Sequence, residues 1–295
     1  MNDNILEKTM NWFQHSLLGV MCMTLFACGS NPGPSARLKQ APGFKVFGQC
    51  IPESRLLAAG IVRGDVVKKG DPDEKTVVLL LTGNSICTAS PIADDVLVTA
   101  AHCVDGDPQK VLGVFHPSLA CESGYEPSQH AIKATKVSRH LGYDEAKDVE
   151  NRSDDIALIF LESKIPAGYP VYKIADPNQI TSINEMYVYG YGIIGENQGG
   201  RGILRKGTIT PENFAVQLSD KKVMVRQDRG VGICMGDSGG PTFVSLDNEK
   251  KILGVNSYVF GPKGDICNKE SYQTLVHSYK DWIKLEIDAY RAEKK

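Results

Sequence analysis

Gly232-Ile-Cys-Met-Gly-Asp-Ser-Gly-Gly-Pro241 places one serine among glycines, with an aspartate directly before it and a cysteine a little further upstream. A serine hydroxyl is a poor nucleophile until a base takes its proton and something stabilises the oxyanion it creates. Glycines around Ser238 let the backbone turn tightly and aim bare N–H groups at one point. The stretch therefore reads as a nucleophile with an oxyanion hole built round it. Gly236-Asp-Ser-Gly-Gly240 also satisfies G-x-S-x-G, the elbow of α/β-hydrolases, whose acid and histidine follow the serine. Little chain remains between Ser238 and Lys295 to carry both partners. The alternative order is His, Asp, Ser, with both partners upstream.

The chain has 295 residues, 42% hydrophobic and 23% charged, which is ordinary globular composition. A net charge of −2 argues against nucleic acid as a partner. After Lys8 there is no charged residue until Arg37, and Leu17–Cys28 is strongly apolar. That run suits the core of a signal peptide and is short for a membrane span. Residues 1–27 are read as the signal. Leu25-Phe-Ala-Cys28 resembles a bacterial lipobox, which makes Cys28 the expected lipidated first residue of the mature protein. Asn31-Pro-Gly-Pro-Ser35 reads as a tether. The expected location is outside the cytoplasm: an outer-membrane lipoprotein, the periplasm or the cell surface, with release as a further outcome. Cys50, Cys87, Cys103, Cys121, Cys234 and Cys267 remain, an even set that in an exported chain suggests disulfides. Spacing alone leaves their pairing open.

From Lys75 onward short apolar runs alternate with turn residues: Thr76–Leu81, Val96–Ala100, Val111–Phe115, Ile156–Leu161, Met186–Tyr189, Val223–Val225 and Ile252–Val255. This pattern predicts an antiparallel all-β sandwich or barrel. Tyr279, Ile283, Ile287 and Tyr290 recur at helical spacing and predict a terminal amphipathic helix.

Two upstream segments supply partners for Ser238. Thr99-Ala-Ala-His-Cys103 sets His102 at the end of a strand among small residues. Ser153-Asp-Asp-Ile-Ala-Leu leads an acidic pair into an alternating strand. Burying such an aspartate needs a hydrogen-bonding partner such as an imidazole N–H.

T-A-A-H-C, D-I-A-L and G-D-S-G-G-P, in this order, resemble the chymotrypsin/trypsin-like serine proteases over roughly residues 61–282. The resemblance implies two antiparallel six-stranded β-barrels, roughly residues 61–170 and 171–275, with a C-terminal α-helix at residues 276–292. It implies His102 as general base and then acid, Asp155 as its orienter and Ser238 as nucleophile. Asp155 is preferred to Asp154 because the family's aspartate directly precedes I-A-L. The N–H groups of Gly236 and Ser238 are the implied oxyanion donors. Cys87–Cys103 and Cys234–Cys267 match family disulfides, and Cys50–Cys121 is the pairing left over. Gly190-Tyr-Gly192 resembles the turn that opens the second barrel.

Ile61-Val-Arg-Gly64 resembles the family's mature N-terminus, so residues 28–60 are read as lipoprotein tether and activation prosegment, and residues 61–295 as the protease domain. Cleavage before Ile61 would free an amine to pair with Asp237. Arg63 replaces a glycine, and Ala58-Ala-Gly60 replaces the usual basic residue before the cut. In the pocket Gly232 stands where trypsin-like members carry an aspartate, Ser257 and Val259 form the substrate-facing wall, and Glu270 is expected to face inward. A small aliphatic residue before the scissile bond is favoured, with a basic one as the alternative. Protein or peptide substrates, a monomeric state, no metal and no cofactor are expected, with Glu122 and Glu126 read as solvated. The competing reading is a protease-like binding or adhesion lipoprotein without catalysis.

Overall fold

The computed structural model describes residues 50–52, 61–83, 85–148, 153–176, 185–195, 201–210 and 219–294. The expected signal, Cys28 and nearly all of the expected prosegment lie outside these. Among the described residues there are thirteen strands: β1 (Asp65–Val66), β2 (Val78–Thr82), β3 (Ser85–Ala93), β4 (Val96–Thr99), β5 (Val111–Val114), β6 (Ala131–Arg139), β7 (Ala157–Leu161), β8 (Met186–Gly190), β9 (Arg205–Ile209), β10 (Lys222–Arg226), β11 (Pro241–Leu246), β12 (Glu249–Phe260) and β13 (Glu270–Leu275).

The first barrel closes in the order β2-β3-β4-β7-β6-β5, every pair antiparallel. Closure leaves no unpaired edge. All of β7, Ala-Leu-Ile-Phe-Leu, is buried, which is why it reads as an unbroken apolar run rather than an alternating one. The second half is a sheet in the order β1-β9-β8-β11-β12-β13-β10. Its last six strands match the expected second barrel. The seventh, β1, joins from the N-terminal side through Asp65 opposite Lys206 and Val66 opposite Arg205.

The ladder between β12 and β13 slips between Asn256 and Tyr258. A bulge breaks the alternation of faces and re-aims side chains. Consecutive Asn256 and Ser257 are both buried here, 0% and 2% exposed. Ser257 is thereby turned toward the first barrel.

A short 3₁₀ turn (Val276–Tyr279) leads into the terminal helix (Lys280–Glu293). The helix returns to the first barrel. Tyr290 packs its ring 4.3 Å from that of Phe160 and shares a hydrogen bond with Thr135 Oγ1 at 2.9 Å. Arg291 clasps Asp95 with both guanidinium nitrogens, Nη1 to Oδ2 at 2.6 Å. Ile283 and Tyr290 face inward, as the periodicity predicts. Among the described residues no helix is long and apolar enough to cross a membrane.

Tyr290→Ala should lower the unfolding free energy by about 3 kcal/mol in urea denaturation, through lost packing and an orphaned hydroxyl partner. Leu285→Ala, on the exposed face of the same helix, should change it by less than about 0.5 kcal/mol. Equal effects would show that the helix does not dock through Tyr290.

Candidate active site

His102 lies in the 3₁₀ turn Ala101–Cys103 that follows β4. Ala100 and Ala101 are fully buried, and the Cys87–Cys103 disulfide ties the turn back to β3. Asp155 lies two residues before β7 and is 0% exposed. Its Oδ1 accepts the backbone N–H of His102 at 2.9 Å, and its Oδ2 sits 2.8 Å from His102 Nδ1. Ser257 Oγ donates to the same Oδ2 at 2.6 Å. A carboxylate only accepts, so Nδ1 carries the ring proton and Nε2 is left as the basic nitrogen. Burial pushes the Asp155 carboxyl up, but the charges of His102 and Lys222 and the hydrogen bonds outweigh it. They hold it well below the usual carboxylate range.

Asp154 points elsewhere. It binds Tyr279 Oη at 2.7 Å and Lys221 Nζ at 2.8 Å, with His140 Nδ1 at 3.2 Å. The acidic pair thus divides its work, and Asp155 is the member that meets the imidazole.

Ser238 lies on a tight turn in which Asp237 N–H donates to Cys234 O at 3.1 Å and Gly240 N–H to Asp237 O at 3.0 Å. Gly236 and Gly239 have φ of +98° and +79°. A Cβ on Gly239 would lie 2.0 Å from Thr99 Oγ1 and 2.3 Å from Thr88 O, so only glycine fits. Among the described residues none accepts a hydrogen bond from the N–H of Gly236 or Ser238.

Sequence reasoning missed Thr88. Its N–H donates to Ser238 O at 2.8 Å, its hydroxyl to Gly236 O at 3.1 Å, and that hydroxyl accepts from Tyr191 N–H at 3.2 Å. This residue fastens the Ser238 turn to the first barrel. A buried threonine in a strand of small residues carries no pattern that would have flagged it.

Asp237 is fully buried. Its Oδ1 accepts from Gly192 N–H at 2.8 Å and its Oδ2 from Cys234 N–H at 2.9 Å. Gly190 and Gly192 are glycines because this aspartate presses on them: added Cβ atoms would lie 2.1 Å from its Oδ1 and 2.6 Å from its N. Desolvation pushes its carboxyl up to about 7, against the two N–H bonds and the charge of Arg205. Among the described residues no ion pair closes on it. Ile61 is completely buried, and Val62 exchanges two backbone hydrogen bonds with Gly232, at 2.8 and 3.1 Å.

His102 and Ser238 share the walls of one cleft of about 520 Å³. Ile233, Val259, Ile266 and the Cys234–Cys267 disulfide give one end of it an apolar lining. Ser257 and Val259 stand on its wall, while Gly232 and Glu270 are not among the residues that line it. Gly232 lies behind the wall, its Cα against Gln227. The Glu270 carboxylate is drawn aside by Tyr272 Oη at 3.2 Å and Lys269 Nζ at 3.5 Å. Among the lining residues that the sequence did not single out are Ile233 and Ile266. The third disulfide, Cys50–Cys121, is also present.

The family model for trypsin matches residues 61–283. The chain belongs to the trypsin family. Among curated proteins it is 26% identical over 251 residues to chymotrypsin-like elastase family member 1 of Canis lupus familiaris, covering 80% of this chain and 94% of that one. It is 27% identical over 218 residues to trypsin-1 of Astacus astacus, covering 67% and 86%. Ovochymase of Halocynthia roretzi is 28% identical over 245 residues, 77% of this chain but only 15% of that much longer protein.

The buried Asp237 should leave a mark on stability. Its folded pKa lies above the ordinary 3.8. Below about pH 4 both folded and unfolded chains hold the proton and there is no cost. Between about pH 4 and 7 the unfolded chain releases it first, so the uncleaved protein should lose a few kcal/mol from this group, levelling off above pH 7. Subtracting the urea stabilities of Asp237→Asn from those of the unsubstituted protein isolates the slope. A flat difference between pH 4 and 7 would contradict it.

Proposed function

We propose that the chain is an exported serine endopeptidase that hydrolyses peptide bonds through an acyl-enzyme and is made as a zymogen. The observation that carries this reading is the buried Asp155 carboxylate on His102 Nδ1, with His102 and Ser238 lining one cleft. In this mechanism His102 Nε2 takes the Ser238 proton as Oγ attacks the scissile carbonyl. The carbonyl oxygen becomes an oxyanion between the N–H groups of Gly236 and Ser238. The imidazolium, balanced by Asp155, then protonates the leaving amine. Water repeats the sequence to release the acid.

Cleavage before Ile61 is the proposed switch. The new amine would supply the cation that Asp237 lacks among the described residues, and ordering this aspartate orders the turn carrying Gly236. The Cys50–Cys121 bond, with partners on the two sides of that cut, would keep the prosegment attached. Lipidation at Cys28 would then hold the active enzyme at a membrane surface.

Relatives named as trypsin and as elastase stand at similar identity, so the pocket's own side chains decide preference. Ile233, Val259 and Ile266 offer apolar, branched walls, which suits alanine or valine before the scissile bond.

A fluorophosphonate should label the processed protein at one site, and Ser238→Ala should abolish it. His102→Ala should reduce kcat by a factor on the order of 10⁴ or more. Among peptides differing only before the scissile bond, alanine or valine should exceed arginine by about tenfold or more. The active form should begin Ile-Val-Arg-Gly. Absence of labelling after correct processing would favour a binding lipoprotein instead, and rapid cleavage after arginine alone would reverse the specificity.

A further inference from the structure

Lys221 and Lys222 are neighbours with opposite fates. Lys221 reaches outward to Asp154, while Lys222, at the start of β10, is only 4% exposed. Lys222 Nζ donates to Thr274 Oγ1 at 2.9 Å and to Ser257 Oγ at 3.3 Å, and lies 5.9 Å from the centre of the Tyr258 ring. An ammonium has three donors and no acceptor. The Ser257 hydroxyl must accept from it, so its own hydrogen is directed to Asp155 Oδ2, 2.6 Å away. A lysine is costly to bury unless its charge answers another. The charge it answers is that of Asp155, which Lys222 stabilises in the ionised form.

We infer that Lys222 is a positioning residue for the catalytic pair: a buried cation that, through the hydroxyl of Ser257, fixes the Asp155 carboxylate and so sets how readily His102 takes a proton. This rests on the serine-protease reading above.

Among the described residues the charged and titratable surroundings of Asp155 are few. His102 faces it from the 3₁₀ turn, and Lys222 lies beyond Ser257 on the sheet side. Next along the chain Asp154 turns away to Lys221 and His140, and the phenol of Tyr279 leans on Asp154 while sensing Asp155 and Asp220. Lys221 and His140 are already matched to Asp154, so Lys222 is the cation placed to act on Asp155 from behind. A fixed positive charge there opposes the formation of imidazolium at His102. The enzyme then keeps its base unprotonated to lower pH than the His–Asp pair alone would allow.

The test is the pH dependence of kcat/KM for one peptide substrate on the processed protein, for the unsubstituted chain, Lys222→Gln, Lys222→Met and Lys222→Arg. Lys222→Gln keeps donors for Ser257 and Thr274 but no charge. Both neutral variants should move the acid limb upward by about one pH unit, a tenfold loss of activity on that limb. Their plateau KM should stay within about twofold. Lys222→Arg should keep the limb within about 0.2 unit of the original. The rate of fluorophosphonate labelling against pH should show the same displacement. Unmoved limbs in folded neutral variants would overturn the inference. So would loss of the fold in both neutral variants while Lys222→Arg folds, since that marks a structural lysine. If the unsubstituted protein is not labelled at all, the serine-protease reading fails rather than this one.

Discussion

The burial of one ionised carboxylate, Asp155, constrains the meeting of the two halves. Taking a carboxylate out of water costs several kcal/mol unless protein donors replace the lost hydration. Neither half holds all the donors. The first barrel supplies the backbone N–H and Nδ1–H of His102, and the second sheet supplies Ser257, turned inward by the slip in register after Asn256. Separating the halves would strand the charge. The site therefore lies at the join, where each half completes the hydrogen bonding of the other. Thr88 repeats the arrangement in backbone form, carrying the Ser238 turn of the second half on a strand of the first.

Asp237 shows what happens to a second carboxyl, adjacent to Ser238, when the same burial is met differently. It also accepts two N–H bonds, yet it is pushed toward neutrality where Asp155 is held ionised. The difference is the nearby cation. Asp155 has an imidazole against it and a lysine behind it. Asp237 has backbone dipoles and the more distant field of Arg205. Opposite environments set two acids of one chain to opposite states, one held as a standing charge and one pushed toward its neutral form.

Much of this was legible in the sequence. All seven apolar runs fall on strands, and in β4 and β7 every residue is buried, which leaves no alternation to misread. The strands without such runs, β6, β9 and β13 among them, are half-exposed or bury Ser271, Gln273 and Thr274 instead of aliphatics. Those buried polar residues lie close to the site, where hydrogen-bonding capacity outweighs apolar area. Glu270 was placed in the cleft on register alone, and the structure instead sets its carboxylate between Tyr272 and Lys269. Lys222 was invisible for a related reason. A lysine beginning a strand after another lysine reads as a solvated end, and only the long-range pairing of β10 with β13 brings it under Ser257.

Arg63 shows how a departure from a family pattern can be absorbed locally. It stands in the left-handed region at φ 56°, where a side chain costs on the order of 1–2 kcal/mol that glycine avoids. Its guanidinium returns hydrogen bonds to Gln227 O at 3.1 Å, Gly230 O at 2.6 Å and Asn268 Oδ1 at 2.6 Å. Bonds from a charged donor are the stronger kind, so three of them can offset the strain even partly exposed. Their placement matters more than their sum. Gln227 braces Ile233 and Cys267 through its own amide, and Asn268 follows Cys267 directly. The residue that replaces a glycine beside Ile61 therefore grips the two loops that shape the apolar end of the cleft. The same backbone twist that glycine would have adopted for nothing is here what aims the arginine at them.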